Sequence, residues 1–497
     1  MIYHLVKIAI GYKDLGAGGI SCACSELASA GGMGAILDLD KVNTVSDQLP
    51  PEVIACSETQ ERFAIAVPKS FTDTVLSIFN DQFEMNSLYP GAGAAVIGYV
   101  TEKKDYVLTY KGDTVCCLPI DAITTEVKAP KTAKKKDIQY PDPVSHSFSD
   151  AELSSLCLTL LSSQNSCSKR YVYRFFDNAV RGHTIVYPGE GDAVVTAPIE
   201  GSSAAVVTSM DSNLFGDVDP YVCGAYAVAE AVRNVVAVGG CPIAVTDCLN
   251  YGNPENPHVF YDFEEGVRGI ADACHALGFI ENESLPVISG NVSFYNESTT
   301  GKAVVPSPVV MVVGKMTDYS KVLTMQLSKP EYHLYLIGER YSEFGGTQIS
   351  HLIEGLSYSA PHVRLEDEHK ANQLVHNSIQ SGLLEACHDI SAGGLFVALS
   401  EMILGERGLC RVGVSIDIPD SYTSEQFLFS ENGGYIVAVS QEHSTAFEEA
   451  LSRASLTISQ IGHTTDEKQF KIKRTEGAVI TLSEQDLKEA WLSSIDS

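Results

Sequence analysis

The stretch "HDISAGGLFVALSE" at residues 388–401 has a close counterpart near the start of the chain, "KDLGAGGISCACSE" at residues 13–26. The two phrases lie 375 residues apart, and this offset pairs Asp14 with Asp389. The likeness continues downstream, since "ILDLD" at 36–40 corresponds to "VSIDI" at 414–418 and "SETQERFAIAV" corresponds to "SENGGYIVAV". A correspondence sustained over this length indicates an internal repeat.

Each copy of the repeat predicts the same α/β unit. A Gly-rich turn leads into a helix, an alternating strand follows, and a Ser-Glu loop enters the strand at 63–67 or 435–439. Only 13 residues precede Asp14, whereas a long stretch of further strands and helices precedes Asp389. We therefore expect an α/β (α+β) fold of two tandem units, of which the first is incomplete.

The domain organisation follows from this repeat. Residues 1–120 are predicted to form the C-terminal α/β part of the first unit, and residues 121–150, rich in Lys and Pro, a solvated linker. Residues 151–318 are expected to form the N-terminal part of the second unit and residues 319–497 its C-terminal α/β part. Alternating strand and helix patterns fill the 151–318 stretch, including a helix at 226–239 and a strand at 242–250.

Composition excludes several classes of protein. At 497 residues the chain exceeds a single core, so two or more domains are expected. The 63 acidic against 34 basic residues give a formal charge of −29, which argues against binding to nucleic acid or to anionic membranes. The 13 cysteines are scattered without zinc-site spacing and indicate reduced, buried thiols in a cytosolic protein.

Polar residues beside glycines mark three candidate ligand sites at strand ends. In "KDLGAGG", Asp14 offers a hard oxygen to a cation and the glycines admit a phosphate, although a tight turn explains the glycines equally well. In "TDCLNYGNPENP", Asp247 ends an apolar strand, and an Asp-Asn turn is the alternative interpretation. In "VISGNVSFYNES", Gly290 permits close backbone approach, and Asn291 and Ser293 offer an amide oxygen and a hydroxyl.

Five phrases together carry a family resemblance. The stretches at 14–42, 57–63, 227–257, 286–298 and 388–402 follow one another as in the small-type synthetase subunits of the phosphoribosylformylglycinamidine synthase family, part of the aminoimidazole ribonucleotide (AIR) synthetase superfamily. The chain resembles this family over nearly its whole length. The resemblance implies a barrel-forming N-terminal part and an α/β C-terminal part in each unit.

The same resemblance implies a reaction and partners. Members use ATP and Mg²⁺ to phosphorylate the amide oxygen of formylglycinamide ribonucleotide, and ammonia from a separate glutaminase subunit then displaces phosphate to leave the amidine. A small bridging subunit belongs to such a complex. A further chain carrying the N-terminal half-unit is also an expected partner, whereas nucleic acid and membrane are not.

The resemblance assigns roles to eight residues. Asp14 and Asn291 correspond to magnesium ligands, and Asp247 and Gly290 to ATP contacts. Substrate contacts are expected from Glu58, Thr59, Gln60 and Ser293. No catalytic residue is assigned, because the family's catalytic histidine belongs to the half-unit that has no counterpart here, and His4 is interpreted as incidental.

The second copy carries Glu431-Asn432-Gly433 where the first has Glu58-Thr59-Gln60, which favours one working site and one structural site. Three hypotheses remain. The chain is a synthetase that needs the N-terminal half-unit for activity, or a non-catalytic remnant or binding module, or another ATP-using member of the superfamily. The phrases "SETQERF" and "TDCLNYGNPENP" speak against the third hypothesis.

Overall fold

The computed structural model describes residues 10–46, 48–125, 130–138, 140–144, 146–280, 283–405, 408–474, 477 and 479–493. His4 and parts of the expected linker lie outside these residues. The chain divides into two compact units, residues 1–130 and 131–497. Among the described residues, no helix combines the length and the apolar character needed to cross a membrane.

The first unit contains two sheets. Strands β1 (Gly11–Asp14) and β3 (Phe63–Ala66) pair antiparallel. A four-stranded sheet has the order β4-β2-β5-β6, with bounds β2 (Gly34–Asp38), β4 (Gly98–Thr101), β5 (Asp105–Tyr110) and β6 (Asp113–Pro119). The helices are α1 (Gly19–Ala30), α2 (Pro51–Cys56), α3 (Thr72–Leu76) and α4 (Ile120–Thr124). Apolar residues of α1 pack on this sheet around Leu37 and Tyr106, so α1 and the turn before it are held by a core of their own.

The second unit begins with a six-stranded sheet of order β11-β10-β12-β9-β8-β7. Its strands are β7 (Thr184–Val186), β8 (Val194–Thr196), β9 (Ala205–Asp211), β10 (Cys241–Asn250), β11 (Val287–Ser293) and β12 (Ser307–Met316). The helices are α5 (Asp150–Leu161), α6 (Arg170–Tyr173), α7 (Pro220–Ala237) and α8 (Pro257–Ala276). The helix expected at 226–239 and the strand expected at 242–250 are therefore present as α7 and β10.

A seven-stranded sheet of order β14-β16-β13-β17-β15-β18-β19 follows in the same unit. Its strands are β13 (His333–Ile337), β14 (Ala386–Asp389), β15 (Gly413–Asp417), β16 (Tyr435–Val439), β17 (Ile458–Thr465), β18 (Gln469–Lys473) and β19 (Val479–Ser483). The helices are α9 (Leu365–Gln380), α10 (Gly394–Leu404), α11 (Ser424–Phe429), α12 (Ser444–Leu451) and α13 (Glu484–Leu492). The repeat is confirmed locally, because β1, α1, β2 and β3 correspond in order to β14, α10, β15 and β16.

Two hydrophobic clusters hold the second unit together. One lies on the side of α10 and α13 and takes in Leu153 and Leu160 of α5. The other joins apolar residues of α7 to Tyr435 and Val437 of β16. Helix α7 is thus packed between the two sheets of this unit.

The Lys- and Pro-rich segment before α5 is exposed but not unattached. Lys131 pairs with Glu255 at 2.5 Å and Lys136 with Asp262 at 2.7 Å, and the Val144 N–H donates to the Gly355 carbonyl at 2.6 Å. The expectation of a solvated linker therefore missed these ion pairs. The lysines pair with carboxylates that are more than 120 residues away in sequence, so no local pattern indicates them.

The cysteines are only partly as expected. All 13 are thiols without disulfide partners, and six of them are buried. The others are partly or fully exposed, among them Cys56 and Cys117. The expectation that the cysteines are all buried was wrong, because several of these residues lie on the outward faces of short helices and strands in the first unit.

The start of α7 yields a stability prediction. The Asp219 carboxylate accepts the Val222 N–H at 3.0 Å, and Pro220 occupies the first helical position. Asp219→Ala removes this cap, and we expect a loss of about 1 kcal/mol in the stability of the second unit, measured by denaturant unfolding. Asp219→Asn keeps an acceptor and should lose less; equal losses in both variants would contradict the role of the cap.

Candidate functional site

The first Gly-rich turn, residues 14–19, follows β1 and starts α1. Gly18 and Gly19 have φ of 73° and 55°, and a Cβ at Gly19 would lie 2.3 Å from the Ser57 carbonyl oxygen. Glycine is therefore required at both positions. The Gly18 N–H points to Glu58 Oε1 at 3.4 Å, so the turn contacts the loop that carries the predicted substrate residues.

That loop is held by its own backbone contacts. Arg62 donates to the Ser57 carbonyl at 2.5 Å and to the Thr59 carbonyl at 2.9 Å, and Gln60 donates to the Glu58 carbonyl at 3.0 Å. Glu58, Thr59 and Gln60 are exposed. The structure thus brings Asp14 and these three residues together around one open turn of the first unit.

A charged pair missed by sequence analysis lies beside this turn. Lys13 forms an ion pair with Glu26 of α1, and the Cys22 thiol donates to the same carboxylate at 3.0 Å. The hydrogen bond with Glu26 raises the pKa of Cys22, so the thiol stays protonated. This disfavours a redox role for Cys22. The internal repeat could have indicated this pair, because Lys13 and Glu26 correspond to His388 and Glu401, which also contact each other.

The second Gly-rich turn, residues 389–394, has the same backbone and a different environment. Glu431 accepts the N–H groups of Gly393 and Gln348, each at 2.8 Å. It is 3 % exposed, and burial raises its pKa to about 8. A carboxyl group of the protein thus occupies the N–H groups that a phosphate would use.

The other two residues of the second copy's triplet, Asn432 and Gly433, are also held by contacts within the protein. Asn432 accepts from the Tyr341 N–H at 2.9 Å and donates to Glu343 at 2.8 Å. A Cβ at Gly433 would lie 2.4 Å from Glu368 Oε1, so a glutamine like Gln60 cannot stand there. These contacts support the interpretation of the second copy as a structural site.

Buried charges fill the space beside this second turn. Arg233 Nη1 lies 3.0 Å from Glu368 and its Nε lies 3.5 Å from Asp389 Oδ2. Burial raises the pKa of Asp389 to about 7, against the lowering effect of Arg233. Asp389 thus has the Arg233 guanidinium beside it, whereas the described contacts of Asp14, the corresponding residue of the first copy, include no guanidinium. A magnesium nucleotide at Asp389 is therefore not expected.

Two of the remaining predicted residues sit on adjacent parallel strands. Asp247 of β10 is directly opposite Gly290 of β11, and a Cβ at Gly290 would lie 2.1 Å from Asp247 Oδ1. Burial raises the pKa of Asp247, and its carboxylate adds to the raised pKa of Cys274 in α8. Asp247 and Gly290 thus form one pair on the helix-covered face of the sheet.

Asn291 and Ser293 belong to the other face. Asn291 pairs with Cys248 and Ser293 with Asn250, and side chains of successive strand residues point to opposite faces. The Asn296 side chain donates to the Ser293 carbonyl at 2.7 Å. The structure therefore brings Asp247 and Gly290 together but places Asn291 and Ser293 on the opposite side of the same sheet edge.

Comparison with protein families identifies this arrangement. The model described as "AIR synthase related protein, C-terminal domain" matches residues 4–111 and again residues 329–474, together more than half of the chain. The chain belongs to the AIR synthase related family. The model described as "AIR synthase related protein, N-terminal domain" matches residues 189–316. The expected tandem arrangement of AIR-synthetase-like units is confirmed, since the AIR synthase C-terminal domain occurs twice.

Individual proteins agree with this assignment. The chain is 38% identical over 510 residues to the "Phosphoribosylformylglycinamidine synthase subunit PurL" of Methanothrix thermoacetophila, covering 99% of this chain and 64% of the relative. It therefore spans a little under two thirds of that relative's length. Structures of T. maritima PurL complexed with ATP and with FGAR match 93% of this AIR synthase related chain at 22% identity, with TM-scores of 0.60 and 0.62. The matched region makes up 65% and 63% of the two solved chains. At 22% identity this similarity shows that the fold is shared.

The Asp247–Gly290 pair leads to a prediction. Gly290→Ala places a methyl group against the Asp247 carboxylate, and we expect the second unit to lose about 1–3 kcal/mol through displacement of strand or side chain. Thermal unfolding measures the loss. Unchanged stability in Gly290→Ala would mean that Asp247 moves away at no cost.

Glu431 leads to a pH prediction. Its folded pKa of about 8 exceeds its unfolded value, so the folded state binds the extra proton. Its contribution to stability is present at low pH and is lost as pH rises towards 8, at up to about 1.4 kcal/mol per pH unit. We expect Glu431→Gln to flatten the fall in melting temperature of the second unit between about pH 4.5, the unfolded pKa, and about pH 8, the folded pKa. An identical pH profile in wild type and variant would contradict this assignment.

Proposed function

We propose that this chain takes part in the ATP-dependent amidation of formylglycinamide ribonucleotide to formylglycinamidine ribonucleotide, a carbon–nitrogen ligase step of purine biosynthesis. The observation that carries the proposal is the contrast between the two turns. Glu58, Thr59 and Gln60 are exposed around the first turn, whereas their counterparts at the second turn are held by internal contacts. The name of the curated relative supports the same reaction.

The residue roles follow the open turn and the strand pair. Glu58, Thr59 and Gln60 bind the substrate in this proposal, with Ser293 as a further contact. Asp247 and Gly290 contact ATP, and Asp14 and Asn291 each provide a ligand oxygen to Mg²⁺.

The chemistry of these positions fits the ligands. Asp14 and Asn291 offer the hard carboxylate and amide oxygens that Mg²⁺ prefers. The absence of a Cβ at Gly290 leaves room beside Asp247 Oδ1, where a Cβ would be only 2.1 Å away. Bound Mg²⁺ supplies neutralisation of phosphate charge. The chain's own residues bind and orient the substrate amide, whose oxygen becomes a good leaving group once it is phosphorylated.

Partners complete the proposed activity. Ammonia comes from a glutaminase subunit, and a small bridging subunit belongs to the assembly. The acid–base histidine and the remaining ATP and substrate contacts come from an N-terminal half-unit. These proposals rest on the family resemblance.

Matched variants in the two copies test substrate binding. Glu58→Gln changes an exposed carboxylate, and we expect at least about tenfold weaker binding of formylglycinamide ribonucleotide with little change in stability. Glu431→Gln is the control, because it changes the corresponding buried residue and should leave that affinity unchanged. Calorimetric titration measures both. Equal affinities in wild type and Glu58→Gln would remove the open turn from the substrate site.

The alternative is a non-catalytic member that serves as a binding or structural module of the complex. It is separated by turnover: amidine formation is assayed with ATP, Mg²⁺ and ammonia after addition of the complementing half-unit. Removal of a positioned acid–base group alone costs about 10²–10⁴ in rate, so the chain by itself should be inactive at ordinary enzyme levels. Substrate binding without turnover in the complemented assembly would favour the alternative.

A further inference from the structure

The turn that follows β11 is fastened to the loop that follows β10. Both belong to the N-terminal-type domain, the stretch matched at residues 189–316. The Tyr251 N–H donates to the Ser293 carbonyl at 2.9 Å. Two residues later, the Tyr295 N–H donates to the Gly252 carbonyl at 3.0 Å. Ser293, the proposed substrate contact, is therefore placed where two loops are held together.

Tyr295 has a backbone conformation that a bulky residue rarely adopts. Its φ is 60°, in the left-handed region. The preceding Phe294 packs against the core of this unit, with its ring 5.0 Å from that of Phe263, whereas Tyr295 is 61 % exposed. Such a conformation persists only where neighbouring contacts over-determine the backbone, and positions of this kind cluster at ligand sites. The turn is therefore held by its surroundings and not by the local preference of its residues.

The Asn296 side chain supplies a further set of contacts at this junction. Its amide nitrogen donates to the Ser293 carbonyl at 2.7 Å and to the Tyr251 carbonyl at 3.1 Å. The same nitrogen lies 3.3 Å from Ser293 Oγ. Backbone carbonyl oxygens only accept hydrogen bonds, so the group that faces them is the amide NH₂ and not the amide oxygen. The Ser293 hydroxyl consequently faces a donor.

This donor decides what the Ser293 hydroxyl can do. A hydroxyl group has one hydrogen and two lone pairs. Because Asn296 donates to Ser293 Oγ, one lone pair is used and the hydrogen is left for another acceptor. Within the described part of the chain, Ser293 Oγ donates to no protein acceptor. The hydroxyl is thus set to donate to an oxygen of a ligand.

We propose that Asn296 is a positioning residue of the substrate site, which holds the Ser293 hydroxyl as a hydrogen-bond donor toward an acceptor oxygen of the bound ribonucleotide. Asn296 acts through Ser293 and does not itself touch the ligand. The phosphate and carbonyl oxygens of formylglycinamide ribonucleotide only accept hydrogen bonds, so a hydroxyl that already accepts on its protein side is matched to them. The inference rests on the proposed function for the assignment of Ser293 as a substrate contact.

The test is a double-mutant cycle in the full chain, with formylglycinamide ribonucleotide titrated calorimetrically. Ser293→Ala should weaken binding about tenfold through loss of the hydrogen bond. Asn296→Ser should weaken it about fivefold, because the shorter side chain no longer fixes the Ser293 hydroxyl. Since Asn296 acts through Ser293, Asn296→Ser added to Ser293→Ala should cost less than about a further twofold. A collapsed turn would instead weaken binding by the same factor in both backgrounds.

Asn213→Ser is the matched control, because the Asn213 side chain also donates to a backbone carbonyl, that of Cys223, at 2.9 Å. It should bind the substrate like wild type. Ribose 5-phosphate is the second titrant, since it carries the phosphate without the glycinamide carbonyls. Weaker binding of ribose 5-phosphate by Asn296→Ser assigns the acceptor to the phosphate, and unchanged binding assigns it to a carbonyl.

The outcomes separate this inference from the proposed function. Equal affinities of wild type and Asn296→Ser, or equal factors in the two backgrounds, overturn the role of Asn296 and leave the substrate site standing. Absence of substrate binding by wild type overturns the substrate site and this inference with it. Should Asn296→Ser fail to fold, the isosteric Asn296→Asp takes its place in the cycle, because a carboxylate accepts the hydroxyl hydrogen and turns it away from the ligand.

Discussion

The contact on which both repeats depend is a glutamate carboxylate that accepts the N–H of a left-handed glycine at the start of a helix. Glu58 faces Gly18 and Glu431 faces Gly393 in this way. The first N–H groups of a helix have no partner within it, and a carboxylate at that end also interacts favourably with the helix dipole. The contact joins the loop before β3 or β16 to the turn after β1 or β14, and so fixes the geometry of each Gly-rich turn.

The same contact has different consequences in the two copies. Around Glu431 the N-terminal-type domain excludes water, and Arg233 with Glu368 occupies the volume beside Gly433. Breaking such a buried pair costs about 3–5 kcal/mol, because the remaining charge loses its partner. The second copy therefore stabilises the fold. Glu58 is exposed and is not next to a buried ion pair of this kind among the described contacts, so its side chain stays accessible to a ligand.

His388 shows how one repeat position can take on a new role. Burial would lower the pKa of its imidazole, but Asp192 and Glu401 raise that pKa well above its ordinary value. The resulting cation bridges two domains of the second unit. Lys13, at the same position, also pairs with a glutamate, Glu26, but an ammonium is charged at neutral pH without a buried partner. Lys13 can therefore stand at an accessible edge of the first unit.

The sequence by itself determined the repeat, the α/β class, the glycines of both turns and the loss of the substrate triplet from the second copy, since these follow from local periodicity and residue type. Tertiary structure decided the rest. Gly290 and Asn291 are neighbours in sequence, yet strand pleating sends them to opposite faces, and which face is covered depends on α8. Arg233 reaches Asp389, and Lys136 reaches Asp262, only because distant segments pack together. Pairings of this kind depend on three-dimensional proximity, which no local pattern in the chain encodes.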